Sequence, residues 1–103
     1  MRLSYNYFDA YEFGGLEFGM TLNDAKIATH PGPNDSDVEW LIANRPYLRK
    51  QLSKLSDETM IAIIEGCGIE DAAEKNREEL EMYIVWLAAG DIVEESYQKK
   101  RRA

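Results

Sequence analysis

Asp71, Glu74, Glu78 and Glu81 stand three, four and three residues apart, the spacing that lines side chains along one face of a helix. A row of carboxylates at helical intervals can imitate the phosphates of a nucleic-acid strand. It can then occupy a basic groove on another protein by charge complementarity. Glu70 and Glu79 extend the row, so the six form the candidate partner-binding set. Like charges three or four residues apart cost a few tenths of a kcal/mol per pair (about 0.2–0.5) on an isolated helix. Lys75 with Glu79 and Arg77 with Glu81 recover only part of that. The competing reading is a plain solvated helix face.

Other reactive side chains form no recognisable constellation. His30 is the sole histidine and Cys67 the sole thiol, so the ordered ligand spacings of a zinc site are missing. A Cys67–His30 nucleophile pair is arithmetically available, but nothing around Gly66-Cys67-Gly68 suggests an activated thiol. Asn34-Asp35-Ser36-Asp37 invites a calcium reading. Counting from Asp35, however, places Trp40 where an EF-hand requires glycine and Pro46 where it requires a bidentate acid. The acids there suit the positive end of a helix instead. Gly14-Gly15 lacks the third glycine and the lysine of a phosphate loop. The expectation is a protein without catalytic machinery, metal or cofactor.

Charge is sorted along the chain. Of 19 acidic residues, twelve lie between Asp57 and Glu95 against only Lys75 and Arg77, a local net of −10 within a chain of −7. Lys99, Lys100, Arg101 and Arg102 close the sequence with a third of the 12 basic residues. Such a body repels nucleic acid and anionic membranes and attracts basic protein surfaces. The expected partner is therefore a protein with a basic surface, with no direct nucleic acid and no membrane. The single cysteine rules out an intrachain disulfide, and Met1–Tyr7 lacks the apolar core of a signal peptide. The longest apolar run, Met82–Ala89, falls far short of the ~20 residues that span a bilayer. A cytoplasmic location is expected.

Helical punctuation supplies the scaffold. At 103 residues and 45% hydrophobic, the chain has room for one domain, expected over 1–98 with a basic flexible tail at 99–103. Six of its eleven aromatics crowd the first twenty residues. Tyr11–Phe18, nearly symmetric about Gly14-Gly15, could form a hairpin, but that sets Glu12 against Glu17. A short helix over 5–13 is preferred. Thr21 with Asp24 signals a helix start, running toward Thr29 and stopped by His30-Pro31-Gly32-Pro33. Ser36 or Asp35 caps a second helix with Val38, Leu41 and Ile42 inward. Pro46 opens a third with Leu48, Leu52 and Leu55 inward, and Ser56 caps a fourth carrying Met60, Ile61, Ile63 and Ile64. A long helix over 70–89 would turn Ala73, Asn76, Leu80, Tyr83, Ile84 and Leu87 inward and end at Gly90. Asp91 would start a last one. Five to six short helices imply an all-α bundle.

Arg45, Arg49, Lys50 and Lys54 form a smaller basic patch near Tyr47, expected to pair with acidic helices of this chain or of a second copy. Trp40 and Trp86, with Tyr83 and Met82, sit at core spacing; the alternative is an exposed anchor for a partner or dimer mate.

Tyr7-Phe8-Asp9-Ala10-Tyr11, Gly15, Phe18-Gly19-Met20-Thr21, His30-Pro31-Gly32 and Trp86-Leu87-Ala88-Ala89-Gly90-Asp91-Ile92 resemble small uncharacterised bacterial and phage open reading frames. The resemblance implies a compact mobile-element protein and transfers no functional residue. In type rather than motif, a small, acidic, cysteine-poor chain also looks like the phage-encoded anti-CRISPR and anti-restriction inhibitors. The expected function is a non-enzymatic inhibitor or regulator docking its acidic face on a basic site. The alternative is a homodimeric helical scaffold with a Trp, Met and Tyr contact surface.

Overall fold

A computed structural model describes residues 19–29 and 36–102, apart from the side chains of Glu95 and of residues 97–102. Among the described residues there are five α-helices, one 3₁₀ turn and no strand. They are α1 (Leu22–Ala28), α2 (Ser36–Asn44), α3 (Pro46–Ser53), α4 (Asp57–Gly66), the 3₁₀ turn (Ala72–Glu74) and α5 (Arg77–Arg102). The all-α bundle anticipated from the sequence is what forms. The hairpin-or-helix question over the first eighteen residues, the His30–Pro33 stop and any cap from Asp35 lie outside the described residues.

Local signals set most boundaries. At α1, the Thr21 hydroxyl accepts from the Asp24 backbone N–H at 3.1 Å, and the Asp24 carboxylate accepts from the Thr21 N–H at 3.4 Å. At α4, Ser56 accepts from the Thr59 N–H at 3.1 Å. That helix ends where the Ile69 N–H reaches back to the Ile64 carbonyl at 3.4 Å and the Gly68 N–H to that of Glu65 at 2.9 Å. The bend needs Gly68 at φ +90°, which a residue without Cβ adopts cheaply.

Among the described residues the core is one cluster gathered on α5. Leu80, Ile84 and Ala88 recur every fourth residue, with Val85 and Ala89 beside them, and all are buried. Helices α1 and α4 make the most extensive contacts with α5, and α2 bridges α1, α3 and α5. Opposing residues include Ala25 and Ala28 of α1, Leu41 of α2, and Met60, Ile63 and Ile64 of α4. Leu48 and Leu52 complete it from α3, whereas Leu55, Ile42 and Ile61 are only partly buried. Each large buried side chain contributes about 1.5–3 kcal/mol over its exposed state.

The end of the chain differs from expectation in two places. The long helix begins at Arg77 rather than at residue 70, so Ala73 and Asn76 are exposed and Ala72 is the buried alanine. Asn76 is the reason. Its Oδ1 accepts from the Glu79 N–H at 2.8 Å, while the Glu79 carboxylate accepts from the Asn76 N–H at 3.1 Å. This reciprocal cap starts a helix at the next residue. The helix then passes straight through Gly90 to Arg102. A glycine inside a helix costs only about 1 kcal/mol relative to alanine, and Ile92 and Val93 pack against the core beyond it. Residues 99–102 are part of that helical backbone.

Candidate protein-docking surface

The early break before Arg77 decides where the candidate carboxylates lie. Asp71 has left-handed backbone (φ 68°, ψ 15°) and precedes the 3₁₀ turn, and Glu74 ends that turn. Neither shares the helix of Glu78 and Glu81, so the four do not form one helical stripe as their spacing suggests. They sit instead on a bent path, from the α4–α5 connection onto the first turn of α5. Glu70, Asp71, Glu74, Glu78 and Glu79 are exposed; Glu81 is half-buried.

Of the two local cations, one neutralises a candidate carboxylate and the other sits over an aromatic ring. Arg77 donates from Nε to Glu81 at 2.9 Å, from Nη1 to Asp57 at 2.7 Å and from Nη2 to the Leu52 carbonyl at 3.0 Å. It thereby ties the end of α3 and the start of α4 to the first turn of α5, and Glu81 belongs to this clamp. The Lys75 ammonium lies 4.7 Å from the centre of the Tyr83 ring, a cation–π contact, and forms no ion pair among the described residues. The anticipated Lys75–Glu79 bridge is absent because Lys75 precedes the helix and Glu79 serves the Asn76 cap. Glu70, Asp71, Glu74 and Glu78 consequently carry their charge into solvent with no ion-pair partner among the described residues.

A second ionic centre joins α1 to the start of α3. Asp24 is 4% exposed, and its two carboxylate oxygens take Arg45 Nε at 3.1 Å and Nη2 at 3.0 Å. The Arg45 hydrogen bonds hold the Asp24 carboxyl below the usual carboxylate range despite the opposing effect of burial. Arg45 also lies 5.1 Å from the centre of the Trp40 ring. Trp40 is not the core residue its spacing suggests: it is 48% exposed, and Tyr47 is 52% exposed. Trp86 is half-buried, donating its indole N–H to the Thr29 carbonyl at 3.1 Å and meeting Tyr83 edge-on at 6.4 Å. No local pattern signals the Asp24–Arg45 fork, because its partners lie 21 residues apart.

Cys67 occupies the C-cap of α4. The residue is exposed overall, yet crowding around its sulfur, followed by the charge of Asp91, pushes the thiol up to about 11. It stays protonated at neutral pH and is a poor nucleophile there. Among the described residues no three His, Cys, Asp or Glu side chains are placed to hold a metal ion, and no helix is long and apolar enough to cross a membrane. Compared with protein-family profiles, with curated proteins and with solved structures, the chain gives no significant match.

Proposed function

We propose that this chain is a small non-enzymatic inhibitor or regulator that docks Glu70, Asp71, Glu74 and Glu78 onto a basic, nucleic-acid-binding site of a partner protein. The observation that carries this reading is that, among the described residues, no cation pairs with these four carboxylates: Arg77 is spent on the α3–α4–α5 clamp and Lys75 on Tyr83. Carboxylates presented in succession along a bend suit a groove that normally follows a phosphate backbone. Glu81 and Glu79 support the surface, Glu81 through Arg77 and Glu79 through the Asn76 cap. The likeness in type to anti-CRISPR and anti-restriction proteins makes a host-defence complex, in the cytoplasm, the partner class to test first.

The test pairs wild type with a Glu70→Lys, Glu74→Lys, Glu78→Lys variant, which leaves the Arg77 clamp intact. A partner retained from bacterial lysate at low salt is purified, and its nucleic-acid binding is titrated with each protein. Wild type should displace the nucleic acid, less so at raised ionic strength, and the variant should not, although its helical circular dichroism is unchanged. Equal competition by both proteins would remove the proposal. A helical scaffold built on copies of the chain is the second reading, favoured by the exposed Trp40 and Tyr47.

A further inference from the structure

Helix α3 carries charge of the opposite sign. Residues 45–54 hold Arg45, Arg49, Lys50 and Lys54 and no acid. With Leu48 and Leu52 buried, the 100° helical step turns Tyr47, Lys50 and Lys54 together to the outer face. Arg45 is committed to Asp24 and to the Trp40 ring. Arg49, Lys50 and Lys54 are exposed and make no ion pair among the described residues. Among the described residues the chain thus shows a cationic face and a carboxylate face without ion-pair partners, the cationic one edged by two half-exposed aromatics. Arg77, next in sequence to Glu78, links the two regions by bonding the Leu52 carbonyl at the end of α3 and Asp57 at the start of α4.

We infer that the Trp40, Tyr47, Lys50 and Lys54 face receives the Glu74 and Glu78 face of a second copy of this chain. Charge complementarity selects the occupant. Single-stranded nucleic acid would also suit cations interleaved with aromatics, but it must approach a chain of net charge −7. A second copy carries the same −7, yet it brings its own cationic face to the first copy's carboxylates, which a nucleic acid cannot do. Because one chain carries both faces, a two-fold contact sets each cationic face on the other copy's acids, the self-complementary arrangement of most homodimers. Trp40 and Tyr47 supply the apolar anchors that such contacts favour. This contact uses the same carboxylates as the docking proposal but needs no outside partner.

The experiment is sedimentation equilibrium on the purified full chain over a concentration series, at low salt and at ~0.5 M salt, where screening shortens to a few ångströms. The expected species at low salt is twice the 11.8 kDa chain mass, dissociating at least tenfold more readily at high salt. Lys50→Glu with Lys54→Glu should give a monomer, as should Glu74→Lys with Glu78→Lys, each with native circular dichroism. An equimolar mixture of the two variants should recover the dimer, because each restores the complement the other lacks. Trp40→Ala should weaken association about tenfold. A wild-type monomer at every concentration, a dimer indifferent to both reversals, or a mixture that stays monomeric overturns the inference. So does a labelled single-stranded oligonucleotide that binds wild type and is lost with Lys50→Glu and Lys54→Glu. A pure-protein dimer that never competes with nucleic acid sinks the docking proposal alone, and competition by a strict monomer sinks this inference alone.

Discussion

Replacing Asp24 with alanine is expected to cost more stability than any exposed-carboxylate change. The buried carboxylate accepts two hydrogen bonds from Arg45 at 3.1 and 3.0 Å and closes the α1 cap with Thr21. Charge-assisted bonds of this kind contribute about 1.5–3 kcal/mol net. The Arg45 side chain is 38% exposed, so solvent screening favours the lower half of that range. Losing the reciprocating acid of the cap adds up to about 1 kcal/mol. The expected loss is about 2–3 kcal/mol, or ~10–20 °C in Tm for a domain of this size. Urea unfolding followed by helical circular dichroism measures it. Once Asp24 is gone, Arg45→Met should cost little more. The pH dependence has a definite sign: Asp24 is held below its ordinary value of 3.8, so its contribution is complete above that value and fades as pH falls through the lower folded pKa. The gap between wild type and variant should stay flat from neutrality to about pH 5 and close below about pH 4. A loss under ~0.5 kcal/mol, or a gap that persists unchanged into strong acid, would refute the assignment of Asp24 as the anchor of α1.

Gly90 lies inside α5 with open space where an alanine methyl would project, so Gly90→Ala should stabilise by about 0.5–1 kcal/mol, read as a raised midpoint in the same urea titration. Gly19→Ala should do the reverse: its φ is +83°, which costs about 1–2 kcal/mol for a residue with a Cβ, and that Cβ would also come within 2.6 Å of the Tyr47 ring and force it aside. Iodoacetamide should alkylate Cys67 at pH 8 about 100-fold more slowly than an ordinary thiol, in proportion to its thiolate, and Asp91→Asn should speed it.

The helix starts at Thr21, Pro46 and Ser56 are legible because each depends on a side chain bonding a backbone group within three residues, or on the fixed φ of proline. The start at Arg77 carries the same kind of signal in Asn76-Arg77-Glu78-Glu79. It is hidden by a carboxylate spacing that runs continuously across the break. Gly90 misleads in the other direction, since a glycine's local preference is outweighed by core contacts on both sides of it. Periodicity puts Trp40 inside, yet periodicity reports a helix face and says nothing about which neighbour covers it.

Amino-acid order alone determined the helical class, the apolar faces of α2, α3 and α4, and the excess of acid between residues 57 and 95, because these follow from short-range periodicity and charge count. Only the folded chain decided which charges remain available. Arg77 reaches back 20 residues to Asp57 and 25 to Leu52, and Arg45 reaches back 21 to Asp24. Such bonds depend on how helices pack, a property no local spacing encodes. They neutralise Asp24, Asp57 and Glu81 and leave Glu70, Asp71, Glu74 and Glu78 facing outward.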